Sequence, residues 1–173
     1  MTRRLRPVGP DFLERAPTRL VFTARATARP EDLYRALAEE VAGWPAWFGA
    51  VSLARPTGGG AGREIRLRGG VRFRETIVAA EAPRRYAYRV DETNAPGLSA
   101  LLEEWLLAPA AGPRSPGTLV RWTFAADGPA ALRLAGPAAP PLALAAARPG
   151  LGHSFRTAVR TLDARLAPAP GRG

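Results

Sequence analysis

The feature that most limits the fold of this chain is a series of short alternating segments joined by tight turns. In most of these segments apolar and polar residues alternate with a period of two, which is the pattern of a half-buried β-strand. Predicted strands cover residues 20–27, 51–55, 63–68, 71–79, 86–91, 101–107 and 119–125. Because most of the connections are too short for a crossover helix, we expect consecutive strands to pair antiparallel.

Two helices are also predicted, one after the first strand and one after the last. The first begins at Pro30, which suits the first turn of a helix, and ends at Gly43. The second covers residues 151–166, where one face carries Leu151, Phe155, Val159, Leu162 and Leu166. An antiparallel sheet followed by a long helix predicts an α+β layer structure. The proline-rich segment 127–150 is either a lid over the interior or only a connection.

Composition excludes several classes of chemistry. The chain has no cysteine, so a disulfide, a thiolate nucleophile and a cysteine-ligated zinc site are excluded. All 25 basic residues are arginine, which excludes a lysine Schiff base and the lysine of a phosphate-binding loop. The single histidine, His153, falls on the polar side of the second helix and argues against a serine–histidine hydrolase. We predict no metal and no cofactor, which leaves carboxylates, tyrosines and arginines for any chemistry.

Length and hydropathy predict one domain without a membrane span. We expect an extended N-terminal arm over 1–17, a single domain over 18–167 and a disordered tail over 168–173. No apolar run is long enough to cross a bilayer, and prolines follow the basic first residues where a secretory signal needs an apolar stretch. These features favour a cytoplasmic protein. The abundance of alanine, glycine, proline and arginine is typical of GC-rich genomes such as those of actinobacteria.

Several stretches, taken in order, resemble one known family. They are PEDLYRALAEEVAGWPAWF after the first strand, the paired strands VRFRETIVAAEAPRRYAYRV, the strand GTLVRW and the final amphipathic helix. From about residue 18 to 166 the chain is similar to the SRPBCC superfamily, the START-like or polyketide cyclase/dehydrase group. The resemblance implies a helix-grip fold. In that fold a curved antiparallel sheet of about six or seven strands wraps around a long C-terminal helix and leaves an apolar cavity.

The same resemblance implies that the protein binds an apolar small molecule, a polyketide or a lipid. Some members of the family catalyse cyclisation, dehydration or aromatisation of poly-β-ketones, whereas others only bind or carry a hydrophobic ligand. Both functions stay open for this chain. A third alternative is an interaction module that uses a basic face of the sheet to bind an acidic partner.

Strand alternation selects the candidate catalytic residues. Glu75 has the parity of Phe73, so its carboxylate faces the apolar side, where burial raises a carboxyl pKa and suits it to acid–base catalysis. Tyr88 also faces inward and offers a phenolic hydrogen bond to a ligand carbonyl. The alternative is that both are core residues with satisfied hydrogen bonds. One of Glu103 and Glu104 faces inward too, but the leucines around them leave open which one.

Ten residues, most of them aromatic, are predicted to line the cavity. Three of them surround Pro45 in a helical turn, which we interpret as a cover over the core and not as a stacking site for bases. The complete set is Trp44, Trp47, Phe48, Phe73, Tyr86, Trp105, Trp122, Phe124, Phe155 and Val159.

The arginines give the chain a formal net charge of +10. Several take the outward parity on neighbouring strands and form a predicted basic stripe of Arg66, Arg68, Arg72, Arg74 and Arg89. This stripe is either a solvated face or a docking surface for an acidic carrier protein, an anionic lipid surface or a nucleic-acid backbone. No aromatic residue shares its parity in these strands, which argues against nucleic acid.

Overall fold

The alternating segments form one antiparallel sheet in the computed structural model, which describes residues 1–110, 117–128 and 139–167. Its main path is β2-β8-β7-β6-β5-β4-β3, and β1 pairs with β6. The strands are β1 (Arg3–Arg4), β2 (Thr18–Ala26), β3 (Val51–Thr57), β4 (Gly62–Leu67), β5 (Arg72–Glu81), β6 (Arg85–Thr93), β7 (Ala100–Ala110) and β8 (Gly117–Asp127). The seven strands of the main path confirm the predicted curved antiparallel sheet.

The helices are α1 (Phe12–Arg15), α2 (Pro30–Tyr34) and α3 (Ala139–Leu166). The first predicted helix does not continue as an α-helix to Gly43. After α2 the chain forms a π-helical turn over Arg35–Glu39 and a 3₁₀ turn over Val41–Ala46. The Trp44 indole donates a hydrogen bond to the Leu37 carbonyl at 3.0 Å, which a regular helix would have used internally. This change of winding turns the tryptophan into the core.

The terminal helix α3 is longer than the predicted 151–166 segment and contains Pro149. Its first turns are rich in alanine and proline, so they carry no amphipathic period from which a helix could be predicted. Together with the concave face of the sheet, α3 gives the helix-grip arrangement. Parts of other predictions lie outside the described residues, namely the loop over 112–116, part of the 127–150 segment and the tail over 168–173.

The N-terminal segment 1–17, predicted as an extended arm, contains the short strand β1 and the single helical turn α1. Val8, Phe12 and Leu13 are buried against Ala100, Leu102 and Ala125 on the outer face of the sheet. This small second cluster covers one end of that face, and the larger core lies between the inner face and α3.

Asp163 fixes the C-terminal half of α3 to the corner between β2 and α2. Its carboxylate accepts hydrogen bonds from the backbone amides of Thr27, at 2.9 Å, and Ala28, at 2.8 Å. Nearer the start of the helix, the Phe155 ring packs 6.1 Å from the Phe22 ring of β2. These contacts set the distance between the helix and the sheet, and thereby the room left between them.

Candidate functional site

A cavity of about 530 Å³ lies between the inner face of the sheet and α3. This volume falls in the range of small-molecule sites, roughly 300–1,000 Å³. Its walls are mostly apolar, with Ile65 and Leu98 from the sheet side and Leu151 from α3. Three charged side chains also line it: Arg63, Glu75 and Glu103. The cavity is therefore an apolar space with one polar end.

Half of the ten predicted lining residues contact the cavity, and all ten lie in the described part of the chain. Those that line it are Trp44, Phe48, Phe73, Trp122 and Phe124. The others, Trp47, Tyr86, Trp105, Phe155 and Val159, are buried in the core behind this wall. Trp47 packs against Trp44 with ring centroids 4.9 Å apart, and Phe155 stacks on Trp122 at 5.9 Å. The second group supports the wall and does not form its surface.

Glu75 faces inward and is only 3% exposed. It lies directly opposite Arg63 in the register of β5 against β4, and the two side chains form a buried ion pair through Arg63 Nε. Burial raises the pKa of Glu75, and the Arg63 guanidinium opposes that shift. The sequence contained a signal for this partner, because Arg63 shares the parity of Ile65 and Leu67.

The Arg63 guanidinium is enclosed by aromatic rings and is 1% exposed. Its Cζ atom lies 3.6 Å from the centroid of the Tyr88 ring and 4.1 Å from that of Trp44. Burial opposes the charge, but Glu75 and the tyrosines raise the pKa of Arg63, so it remains a cation. Its Nη1 atom is buried and has no hydrogen-bond acceptor in the part of the chain that the structure describes.

Glu103 is the second carboxyl group at the polar end. Its Oε2 atom accepts hydrogen bonds from the Tyr88 hydroxyl at 2.8 Å and the Trp122 indole at 3.0 Å. The Trp105 indole donates to the Tyr88 oxygen at 3.0 Å and holds the tyrosine in place. Glu104 points to the outer face, where Arg85 donates to it at 2.7 Å. Glu103 is therefore the glutamate that faces inward, and Glu104 faces outward.

Burial and the nearby charge of Glu75 raise the pKa of Glu103 to about 7, although the hydrogen bond from Tyr88 acts against the shift. Because Oε2 already accepts two hydrogen bonds, the proton of the neutral acid belongs on Oε1. Oε1 accepts no hydrogen bond from the described residues. Burial raises the pKa of Tyr88 well above its ordinary value, so Tyr88 stays a phenol. The site therefore offers one fixed cation and one exchangeable proton.

The arginines of the predicted basic stripe lie on the outer face, away from the cavity, and most of them contact acids. Arg66 pairs with Glu64 at 2.9 Å, Arg89 with Asp91 at 2.8 Å and Arg74 with Glu92 at 3.9 Å. Arg68 donates to the Gly49 carbonyl at 2.8 Å. Arg72 makes no ion pair with the described residues. Much of the positive charge of the stripe is therefore neutralised locally.

Neither a metal site nor a membrane-spanning helix is indicated by the described residues. No group of three or more histidine or carboxylate side chains there has an arrangement suited to a metal ion. None of the helices in the described ranges is long and apolar enough to cross a membrane.

Comparison with solved structures shows the same fold. Protein XoxI from Bacillus cereus superposes with a TM-score of 0.65 at 15% identity, covering 86% of this chain and 95% of that one. A START superfamily protein from Mycobacterium smegmatis gives 0.64 at 9% identity, with 86% and 96% covered. The di-domain ARO/CYC StfQ from the steffimycin biosynthetic pathway gives 0.64 at 17%, with 85% and 49% covered. At these identities the likeness concerns the fold alone.

The sequence itself matches a family model. No curated protein matches the chain. Residues 17–167 match the model for polyketide cyclase/dehydrase and lipid transport proteins, which covers nearly the whole sheet and all of α3. This match shows that the chain belongs to the polyketide cyclase/dehydrase and lipid transport family of the SRPBCC superfamily, and the helix-grip fold agrees with it.

Proposed function

We propose that the protein binds an apolar carbonyl compound in the cavity and transfers a proton on it, as in the cyclisation or dehydration of a poly-β-ketone. The observation that carries this proposal is the pairing of an incompletely hydrogen-bonded guanidinium, Arg63, with a carboxyl group of pKa about 7, Glu103, at one end of an apolar cavity. The family match is consistent with such a ligand.

Arg63 supplies the contact to the carbonyl. A buried N–H without an acceptor costs about 1–3 kcal/mol, and a ligand oxygen at the end of the cavity would satisfy Nη1. The guanidinium is already oriented by Glu75 and by the rings of Tyr88 and Trp44. A cation fixed in advance stabilises the negative charge that develops on the carbonyl oxygen when an enolate forms.

Glu103 supplies the proton transfer. In a dehydration, its carboxylate removes the proton from the carbon next to the carbonyl. The carbon–carbon double bond then forms as the C–O bond of the hydroxyl group on the β-carbon breaks. Oε1 of Glu103 returns the proton to this hydroxyl group, which leaves as water. A pKa near 7 suits both proton transfers, since the base and acid forms of Glu103 are both populated at neutral pH.

Glu75 and Tyr88, which the sequence predicts as catalytic, have supporting roles in this scheme. Glu75 pairs with Arg63 and holds it, and Tyr88 donates to Glu103 while its ring lies against the guanidinium. We propose both as positioning residues. A polyketide or lipid as the natural ligand and a cytoplasmic location stay predictions.

Binding is tested with 2-acetylnaphthalene and its hydrocarbon analogue 2-ethylnaphthalene, followed by quenching of tryptophan fluorescence. The wild type is expected to bind the ketone at least tenfold more tightly, because a hydrogen bond to a charged group contributes roughly 1.5–3 kcal/mol. The variant Arg63→Met is expected to lose this preference, with folding checked by circular dichroism. Equal affinity of the wild type for both probes would overturn the carbonyl contact.

Proton transfer is tested by deuterium exchange at the α-carbon of the bound ketone, followed by NMR in D₂O. The wild type is expected to accelerate exchange and Glu103→Gln to abolish it while still binding the probe, because glutamine mimics the shape of the neutral acid. Exchange that is equally fast in this variant would refute the role of Glu103. Tight ketone binding without exchange in the wild type would instead indicate a carrier without chemistry, the alternative function.

A further inference from the structure

On the outer face of the sheet, at the end formed by β2 and β8, three arginines have no acidic partner in the described part of the chain. Arg19 and Arg25 belong to β2, and Arg121 belongs to the neighbouring β8. All three side chains are exposed and point away from the core, because the alternate residues of both strands are buried. We define these three residues as the β2–β8 arginine strip.

The strip has a defined shape. Arg19 and Arg25 are six residues apart on one strand, which corresponds to about 20 Å. Arg121 lies opposite Thr23 in the register, so it stands beside this line, about 5 Å away across the sheet and nearer to Arg25 than to Arg19. The side chains between are small or apolar, as with Val21 and Leu119. β2 is an edge strand, so a partner can approach along its length.

The strip contrasts with the other half of the face, where acids neutralise several of the arginines. There Arg66, Arg74 and Arg89 each lie within 4 Å of a carboxylate. In the strip, three like charges share one surface with no such neutralisation, which disfavours the compact state through repulsion. A partner of opposite charge would relieve that repulsion.

The side chains around the strip indicate which anionic partner fits it: a bilayer, a nucleic acid or a protein surface. A bilayer is anchored by large apolar or aromatic side chains, and Met1 and Leu119 are the large apolar residues exposed in the described ranges. Single-stranded nucleic acid is bound on aromatic platforms, and the outward positions of β2 and β8 carry no aromatic side chain. Carboxylates of a protein surface need neither feature. They form exposed ion pairs with arginine, and these favour rapid, salt-sensitive association.

We propose that the β2–β8 arginine strip docks a carboxylate-rich surface of a second protein. The strip lies on the opposite side of the sheet from the cavity, and the proposal does not depend on what the cavity binds.

The test uses the full chain and a fluorescent 20-residue poly-glutamate peptide, with binding followed by fluorescence anisotropy in 20 mM and 200 mM salt. The triple variant R19S/R25S/R121S is compared with R66S/R74S/R89S, which loses the same charge from the other half of the face. The triple variant R19K/R25K/R121K keeps the charge of the strip. Unfolding midpoints of all variants check that each is folded.

We expect the wild type to bind at low salt and the serine variant of the strip to lose at least tenfold in affinity. The lysine variant should retain binding, and the R66S/R74S/R89S variant should lose less than threefold. Equal losses in the two serine variants would overturn the proposal, because binding would then follow net charge alone. It is also overturned by absence of binding at 20 mM salt, or by tighter binding to phosphatidylglycerol vesicles or to single-stranded DNA than to the peptide.

Discussion

At the scale of single residues, the protein retains charge where packing alone would favour apolar side chains. Arg63 and Glu75 are almost completely buried, and Glu103 lies beside them. Replacing a buried ion pair by apolar residues of similar volume is often neutral or stabilising, so such a pair is weak evidence for a stabilising role. Since all three groups also line the cavity, we interpret them as functional.

The pKa of Glu103 makes its role visible in stability. The folded value of about 7 lies above the ordinary 4.5, so between these pH values the folded state holds a proton that the unfolded state releases. Glu103 therefore stabilises the fold at low pH, and this contribution is lost as pH rises through 7. The loss is on the order of 3 kcal/mol between pH 4.5 and 8. We expect the wild type to lose stability relative to Glu103→Gln over this range, measured by urea unfolding.

Glu104→Gln is the matched control, because the substitution is the same but the side chain lies on the outer face. Relative to the wild type, this control should show no such change with pH, since Glu103 is intact in both. Parallel pH profiles for the wild type and Glu103→Gln would show that Glu103 does not hold its proton near neutrality.

Strand parity predicted which side chains of the site face inward, but it could not predict which of them pair across neighbouring strands. The inward direction of Glu75 followed from its alternation with Phe73. Arg63 has an equally clear parity, but an arginine on an apolar face is recognised only together with the carboxylate opposite it, and that pairing depends on the register of two strands. The contact of Tyr88 with Glu103 likewise depends on the register of β6 against β7.

At the scale of elements, residue type and alternation together located every long strand, whereas helices were harder to predict. Most strands are longer than predicted by a few residues, whereas β4 has the predicted length and is shifted by one residue. The first helix departs from α geometry from Arg35 onward, and the Trp44 indole occupies the Leu37 carbonyl that a regular helix would bond internally. The extension of α3 to Ala139 has no apolar period to reveal it.

Close approach between neighbouring strands makes Gly117 essential at the start of β8. A Cβ atom there would lie 2.4 Å from the Ala26 carbonyl oxygen of β2, and neither backbone can yield without breaking the ladder. We expect Gly117→Ala to destabilise the fold by roughly 1–3 kcal/mol, measured as a lower urea midpoint. At Gly43 a Cβ meets no atom within 4 Å, so Gly43→Ala should be close to neutral. Similar midpoints for both variants would contradict the described β2–β8 contact.

At the scale of the whole molecule, packed aromatic rings form the wall of the cavity. Trp105 and Trp122 stack with centroids 5.6 Å apart, and Phe155 of α3 lies 5.9 Å from Trp122. These rings fill the core on one side of the cavity. Protein interiors are otherwise close-packed, and an apolar space of this size gives up packing contacts that a filled core would have. The unliganded protein should therefore become more stable when the space is filled.

Ser154 offers a direct test, because it lines the cavity from α3 while its neighbour His153 is exposed. We expect Ser154→Phe to raise the free energy of unfolding without ligand by roughly 1–3 kcal/mol, since the ring enters apolar space. The same variant should weaken binding of 2-acetylnaphthalene at least tenfold, because ring and probe compete for one volume. His153→Phe adds the same ring on the solvent side and should change neither quantity. A Ser154→Phe protein that binds the probe as tightly as the wild type would place the probe outside this cavity.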